Sequence, residues 1–310
     1  MTPDGMSSRE ITFRGGTRTA LGFVTAFALV LIGLMPVKEA VSDSSAMVQL
    51  AFEFGKFGLL GGIGLVALRR EGVRIADLGL SSRHLPPAVV TFGGAWVALN
   101  LVGVGLAAVT ANQWGLGLLR ETTPTLLDGV LAPRLTTLLF YLVVVGMVEE
   151  FLFRGYFQTK VIALLGDDTR PRVALGVVTA SVVFGLGHVP GALVAGASVR
   201  GAISLVAITA LSGIAFGTLY EATRNVYFVG LLHGLGDTWP LVVDWQSWSG
   251  SALGAYLVGV VVIYVAAALL YRCWAVETDL TPAVGRQEWG RSISASGGAV
   301  PTETPDSGSE

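Results

Sequence analysis

The sequence predicts an all-α polytopic membrane protein with about eight transmembrane helices in one bundle. Three observations support this prediction. Of the 310 residues, 52% are hydrophobic and only 14% are charged, whereas soluble domains carry about 25% charged residues. Apolar runs of about 20 residues, the length that crosses a bilayer, recur along the chain. Lys and Arg are also distributed unevenly among the segments that join these runs.

Eight apolar runs are separated by clusters of Pro, Arg, Asp and Ser. They cover approximately residues 19–37, 48–68, 86–111, 135–165, 173–189, 202–220, 226–243 and 252–274. The fifth and seventh runs are short and are interrupted by His and Gly. We therefore expect a cytoplasmic N-terminal segment at 1–18 and a transmembrane domain at 19–274. The tail at 275–310 is rich in Thr, Ser, Gly, Pro and Glu, a composition that predicts disorder.

The positions of Lys and Arg predict the orientation, because cytoplasmic loops near helix ends carry the excess of these residues. With the N-terminus inside, the cytoplasmic side holds Arg9, Arg14, Arg18, Arg69, Arg70, Arg74, Arg83, Lys160, Arg170, Arg172, Arg224, Arg272, Arg286 and Arg291. The opposite side holds Lys38, Arg120, Arg134 and Arg200. Both termini are therefore predicted to be cytoplasmic. A cleaved signal peptide is a weaker interpretation of the first run, which is long for such a segment.

Charge and cysteine content exclude two classes of function. The formal net charge of -2 argues against a nucleic-acid partner, because binding phosphates needs a concentrated excess of Lys and Arg. Cys273 is the only cysteine, so no intrachain disulfide and no cysteine-based zinc site can form.

The fourth run contains a cluster of ionisable side chains, Glu149, Glu150 and Arg154. Each such group costs at least about 2.5 to 3.5 kcal/mol at the centre of a membrane helix, so these residues indicate function. At about 100° per residue, Glu150 and Arg154 share one face, and Glu149 points about a quarter-turn away. We expect Glu150 and Arg154 to form a supporting pair. Glu149 is then free to act as a proton acceptor in a water-accessible intramembrane cavity.

Two of the three histidines also fall within predicted spans. His188 ends the stretch Phe184-Gly-Leu-Gly-His188, and His233 begins His233-Gly-Leu-Gly-Asp237, which places Asp237 one turn away on the same face. Neutral imidazole can orient a water molecule or donate to an oxyanion. Any one of these residues could be explained by packing alone, but their occurrence in three apolar spans favours one common site. His84, in a basic loop, is predicted to be an ordinary surface residue.

Depth poses a difficulty for a common site. Counting about 1.5 Å per residue from the predicted cytoplasmic ends puts His188 nearer the outer face than His233. A later start of the fifth span, a tilt of that span, or a site spread around a water-filled cavity would each remove the difference.

These motifs resemble the CPBP family of membrane peptidases, which includes the type 2 CAAX prenyl endopeptidases and the Abi proteins linked to bacteriocin immunity. The stretch from Glu149-Glu150 to Arg154 looks like its Glu-Glu-x-x-x-Arg motif. Phe184 to His188 looks like its Phe-x-x-x-His motif, and His233 to Asp237 looks like its His-x-x-x-Asn/Asp motif. The resemblance covers about residues 135–243.

The resemblance implies an intramembrane endopeptidase that uses a glutamate-activated water and no metal or other cofactor. By position, Glu149 would be the general base and His188 would help to bind the water. His233 and Asp237 would line the oxyanion site, while Glu150 and Arg154 support the helix. The CAAX enzymes have Asn where this chain has Asp237, and an ionised Asp cannot donate a hydrogen bond. The implied partners are the lipid bilayer and a membrane-associated peptide or protein substrate, which in the family is often a prenylated Cys-a-a-X tail. We expect the protein to lie in a prokaryotic plasma membrane.

Three alternatives stay open at the level of sequence. Glu149, His188, His233 and Asp237 could instead bind a divalent metal such as zinc, although the chain lacks a His-Glu-x-x-His helix. A non-catalytic scaffold or immunity-type protein could use the same cluster to bind a partner. A proton-coupled transporter is less favoured, because the internal repeat that such folds show is not evident.

Overall fold

The computed structural model describes residues 11–110, 136, 138–238 and 248–277, with side chains of the last helix up to residue 274. Within these ranges the regular elements are helices, which confirms the predicted all-α fold class. They are α1 (Thr17–Gly33), α2 (Met35–Val41), α3 (Ala46–Glu71), α4 (Leu85–Thr110), α5 (140–165), α6 (Arg170–Leu186), α7 (Val189–Val194), α8 (Val199–Thr223), α9 (Val226–Thr238) and α10 (Gly250–Glu277).

Six of the described helical segments are long and apolar enough to cross a membrane. They are Thr17–Val41, Ala46–Glu71, Ile75–Thr110, Arg170–Val194, Val199–Thr223 and Gly250–Trp274. The two predicted spans outside this group are α5 and α9. Helix α5 carries Glu149, Glu150, Arg154 and Lys160, and α9 has only 13 residues. These two helices form the polar interior of the bundle, whereas the six apolar segments supply most of its lipid-facing surface.

Several predicted boundaries differ from the structure. The first apolar run breaks into α1 and α2, because Pro36 begins a new helix after Gly33. Helix α6 corresponds to the fifth predicted span. It begins at Arg170, before the predicted position 173, and ends at Leu186. Helix α9 corresponds to the seventh predicted span. It is described to Thr238, and the remaining predicted positions 239–243 lie outside the described residues. Most of the predicted tail at 275–310 also lies outside them.

The N-terminal segment packs against the bundle from Ile11 onward. Ile11 and Phe13 are buried, and the Gly15 amide donates to a carboxylate oxygen of Glu71 at 2.6 Å. Lys160 lies 2.9 Å from the other oxygen of Glu71, and both side chains are fully buried. The charge pattern grouped Lys160 with the cations of the cytoplasmic side. In the structure the buried Lys160 side chain connects α5 to Glu71 of α3 and to the N-terminal segment, where it donates to the Gly15 carbonyl.

Replacing Lys160 with methionine should loosen this junction. Glu71 would lose its cation but keep the Gly15 and Thr19 donors, so we expect a loss of about 1 to 3 kcal/mol in the free energy of unfolding. Amide hydrogen exchange should accelerate in the peptide covering residues 11–19. Arg70→Met is the matched control, because it removes an exposed cation next to Glu71. Equal exchange in the two variants would show that the buried pair does not hold the segment.

Glycines permit a close approach of α5 and α9. A Cβ atom on Gly234 would lie 2.6 Å from the Leu142 Cα and from the Tyr141 carbonyl oxygen. Both are backbone atoms, so the two helices could not keep their spacing. Gly236, two residues further along α9, has no neighbouring atom within 4 Å of such a Cβ.

These two glycines provide a matched test of the helix contact. Gly234→Ala should lower the free energy of unfolding by about 1 to 3 kcal/mol, because overpacking forces the backbones apart. Gly236→Ala should leave stability unchanged or raise it slightly, because alanine is the better helix former. Thermal unfolding in detergent micelles measures both. Equal midpoints for the two variants would contradict the observed contact.

Helix α9 begins deep within the bundle, which removes the difference in depth between the histidines. A Cβ atom on Gly155 would lie 3.3 Å from Val226, and Gly155 precedes the end of α5 at Leu165 by 165 − 155 = 10 residues. At about 1.5 Å per residue, α9 therefore starts about 15 Å below that end. The alternative that the fifth predicted span starts later than residue 173 is wrong, because this span is α6, which begins at Arg170.

The segment between α3 and α4 covers the recessed start of α9. Its two short 3-10 helices are Ile75–Leu78 and Ser82–His84. The Asn225 amide donates to the His84 carbonyl at 2.9 Å and to the Tyr271 hydroxyl at 2.8 Å, and its oxygen caps Phe228. His84 is only 1% exposed, so its predicted surface position is wrong. The recessed helix buries the segment above it.

Candidate active site

The two glutamates lie on a short α-helical segment between two π-helical segments. Phe140–Val145 and Phe151–Gln158 are π-helical, and Gly146–Glu150 between them is α-helical. Every residue of the second π segment is buried. A π-helix is rare and is frequent at functional sites. The side chains of Glu150 and Arg154 are therefore enclosed by protein.

Glu150 has one ion-pair partner and one hydrogen-bond partner. One carboxylate oxygen lies 3.1 Å from the Arg154 Nε, and the other lies 2.6 Å from the His233 Nδ1. The Glu150 side chain has no exposed surface. A buried carboxylate held in this way is compensated. The expected pairing of Glu150 with Arg154 is thus present in the structure, together with a contact to His233 that the motifs did not indicate.

Arg154 is held by three different helices. Besides Glu150, its guanidinium lies 4.5 Å from the centre of the Phe184 ring, and one amino group approaches the Gly213 carbonyl oxygen at 3.4 Å. A guanidinium over an aromatic face is attracted by the ring quadrupole. Phe184, predicted as a supporting residue, lies between Arg154 and both histidines, with its ring centre 4.8 Å from that of His188 and 6.0 Å from that of His233.

His233 is oriented by Glu150 and by a stacked ring. An ionised carboxylate only accepts hydrogen bonds, so Nδ1 of His233 donates to Glu150. Its other nitrogen, Nε2, lies 3.6 Å from carboxylate oxygens of both Glu149 and Asp237. The Phe216 ring stacks on the imidazole at 5.1 Å. His233 thus connects the two neighbouring glutamates and brings Asp237 to the same group.

His188 follows the end of α6 and turns its ring back toward that helix. Its Nδ1 lies 3.0 Å from the Phe184 carbonyl oxygen. Because a carbonyl oxygen only accepts, Nδ1 carries the hydrogen, and Nε2 of the neutral ring is left as an acceptor. A water molecule can therefore donate to His188, which is the role that the motif comparison implied.

Glu149 and His188 line the same cavity, which has a volume of about 200 Å³. The lining is mainly apolar and includes Phe27, Phe57, Leu60, Phe153, Phe184 and Pro190. The Glu149 side chain is 20% exposed, in contrast to the fully buried Glu150. His233 and Asp237 are not part of this lining. His233 Nε2 lies 3.6 Å from Glu149 and 3.6 Å from Asp237, which is partly exposed. Two of the four predicted catalytic residues, Glu149 and His188, therefore line the cavity, and the other two lie outside its lining.

Two cations of the cavity were not singled out from the sequence. Lys38 of α2 and Lys56 of α3 both line it. Lys56 forms an ion pair with Glu53 on the same helix. Both Glu53 and Lys56 fall within the second predicted span, so the cost of burying charge that indicated Glu149 would have indicated them too.

The described residues also bear on a metal site. Within 11–110, 138–238 and 248–277, no three His, Cys, Asp or Glu side chains are grouped so that they could hold a metal ion. Glu149 and His188 in the cavity, and Asp237 beside His233, are nevertheless chemically suitable ligands.

Comparison with known proteins adds a family to this geometry. Residues 131–239 match the family model described as type II CAAX prenyl endopeptidase Rce1-like. No curated protein and no solved structure matches the chain significantly. The matched segment contains every residue of the three motifs, from Glu149 to Asp237. The chain is an integral membrane protein, and its resemblance to the CPBP family of membrane endopeptidases is confirmed over residues 131–239.

Proposed function

We propose that the protein is an intramembrane endopeptidase that hydrolyses a peptide bond of a membrane-associated substrate with a water activated by Glu149. The observation that carries this function is the placement of Glu149 and His188 on one cavity, while Glu150 is buried against Arg154 and His233. Two hydrogen-bond acceptors then face a space large enough for several water molecules. The family match at residues 131–239 supports the same reaction class.

In the proposed reaction the Glu149 carboxylate removes a proton from water, and His188 Nε2 accepts the second hydrogen bond of that water. The hydroxide oxygen bonds to the scissile carbonyl carbon, whose oxygen takes the negative charge. The C–N bond then breaks as protonated Glu149 transfers the proton to the leaving nitrogen. The products are a carboxylic acid and an amine, and Glu149 returns to its starting state.

His233 is proposed to act from behind Glu149. Its bond to Glu150 fixes the ring so that Nε2 points toward Glu149 and Asp237. Nε2 lies 3.6 Å from both carboxylates, beyond a direct hydrogen bond. Because Nδ1 donates to Glu150, Nε2 can donate to a water molecule or to the developing oxyanion beside these carboxylates only when both ring nitrogens are protonated. Asp237 is proposed to orient His233 from the side of Nε2. The oxyanion role that the motifs implied for His233 and Asp237 stays a proposal.

The function is tested with the purified protein in lipid nanodiscs and a library of membrane-anchored peptides, with and without a prenyl group. We expect the wild type to cut a subset of the peptides and Glu149→Gln to cut none of them. Glu39→Gln is the matched control, because Glu39 is an exposed glutamate outside the cavity lining. Retained cleavage by Glu149→Gln would remove Glu149 as the base.

Two further arms separate the alternatives. We expect a chelator to leave cleavage unchanged, and cleavage that is lost with the chelator and restored by zinc would establish the metal-dependent enzyme. Binding of a peptide or protein partner by the wild type without any cleavage would instead support the scaffold or immunity-type function.

A further inference from the structure

The cavity that contains Glu149 has an uneven distribution of charge. Its ionisable lining residues are Glu149, His188, Lys38 and Lys56, and the rest of the lining is predominantly aromatic and aliphatic. Two ammonium groups thus share a mainly apolar cavity with one carboxylate and one imidazole. Charged groups near an apolar binding surface contribute to which ligand binds and in which orientation.

The two lysines differ in how far their charge is already compensated. Lys56 is ion-paired with Glu53 and lies 4.6 Å from the centre of the Phe57 ring. Lys38 lies on the exposed short helix α2, and within the described residues no ion pair or side-chain hydrogen bond involves it. An anionic group that enters the cavity would therefore meet Lys38 as the principal cation and Lys56 as a second one.

The location of Lys38 is also unusual within the bundle. Arg69 and Arg70 lie at the end of α3 that contacts the N-terminal segment, with Arg170 and Arg224 at the corresponding ends of α6 and α8. Lys38 follows α1 at its other end, among the few cations on that side. Its position on the cavity is therefore not explained by the general clustering of cations at the other end.

We propose that the substrate carries an acidic side chain whose carboxylate binds Lys38 with help from Lys56 and sets the peptide bond at Glu149. This inference rests on the proposed function and specifies its substrate class. Glu149 repels such a group while Lys38 attracts it, so the peptide is held in one orientation. The acidic group then lies at a fixed number of residues from the bond that is cut.

A lipid phosphate is also negatively charged, but its binding to the lysines would have the opposite effect on cleavage. Lys38, Lys56, Glu149 and His188 line one cavity, so a phospholipid headgroup held by the lysines would occupy the space of the peptide. Anionic lipid would then inhibit the enzyme. A carboxylate of the peptide would instead promote cleavage, and this difference in sign separates the two sources of negative charge.

The experiment uses pairs of membrane-anchored peptides with a C-terminal carboxamide that differ only by Glu against Gln at one position. In phosphatidylcholine nanodiscs, we expect one acidic position to raise wild-type kcat/KM by about three- to tenfold, the size of a partly exposed charge contact. Lys38→Gln should remove this preference, mainly through KM. Lys38→Glu should reverse it in favour of a peptide with Lys at that position.

Controls separate the failure of this inference from the failure of the proposed function. Arg200→Gln removes a cation on the same side of the bundle, outside the cavity lining, and should keep the acidic preference. Peptide binding to Glu149→Gln, measured by fluorescence anisotropy, reports recognition without cleavage. A preference for the acidic peptide in binding but no wild-type cleavage would refute the proposed function and keep the carboxylate site.

Two results would overturn the carboxylate site itself. The first is wild-type cleavage or binding that does not distinguish the acidic peptides from their neutral counterparts. The second is inhibition by added phosphatidylglycerol that Lys38→Gln relieves, since this would assign Lys38 to a lipid phosphate. If the wild type cuts none of the peptides and binds the acidic and neutral peptides equally, both the function and the carboxylate site fail.

Discussion

Glu149→Gln is expected to lower kcat/KM for a cleaved peptide by at least about a hundredfold and by as much as ten-thousandfold. Glutamine keeps the size and polarity of the side chain but cannot take a proton from water, and general base catalysis contributes effects of this size. Because Glu149 is partly exposed to the cavity and has no direct hydrogen bond to His233, its replacement should leave the folded state intact. The measurement is initial-rate kinetics combined with thermal unfolding of the same preparation.

Comparison with Glu150→Gln shows why the two adjacent glutamates should respond differently. Glu150 is fully buried between Arg154 and His233, so its replacement leaves the Arg154 guanidinium uncompensated and weakens the orientation of His233. We expect Glu150→Gln to lower both stability and activity, and Glu149→Gln to lower activity alone. Loss of stability in Glu149→Gln equal to that in Glu150→Gln would contradict the assignment of separate roles.

Arg154→Met is expected to lower the free energy of unfolding by about 3 to 5 kcal/mol. The substitution leaves the Glu150 carboxylate buried with His233 as its remaining partner, and breaking a buried pair on one side has a cost of this size. It also removes the guanidinium from the Phe184 ring. Chemical denaturation in mixed micelles gives the free energy of unfolding. The activity recovered after refolding shows whether the unfolding is reversible.

The matched control for this prediction is Arg172→Met. Arg172 and Asp168 have the same spacing of four residues as Glu150 and Arg154, but their side chains are 53% and 32% exposed. An exposed pair contributes about 0 to 1 kcal/mol. The double variant Glu150→Gln with Arg154→Met should recover part of the loss, because neither charge is then buried alone. A loss in Arg154→Met no larger than that in Arg172→Met would show that the buried pair is not structurally important.

Sequence patterns identified the polar cluster because the membrane makes buried charge expensive. Glu149, Glu150 and Arg154 interrupt an apolar run, and His188, His233 and Asp237 lie in two others. This signal depends on residue type and span, so it requires no knowledge of helix packing. The same criterion applied evenly would also have indicated Glu53 and Lys56, which line or adjoin the cavity.

The positions of buried polar residues near the helix ends could not be predicted in this way. His84 occurs in a basic loop and Lys160 near the end of the fourth predicted span, but both are buried. Their burial depends on the recessed start of α9 and on the docking of the N-terminal segment against Glu71. These contacts join residues far apart in the chain, and local hydropathy carries no information about them.

The sequence by itself determined that the chain is a helical membrane protein and which ionisable residues its apolar spans contain, because composition and the length of apolar runs respond directly to the bilayer. Only the tertiary structure decided which partner each ionisable side chain contacts. The close contact at Gly234 and the depth of α9 bring His233 to Glu150, and the turn after α6 brings His188 to the cavity of Glu149. Such pairings depend on the relative depth and rotation of neighbouring helices, which packing sets.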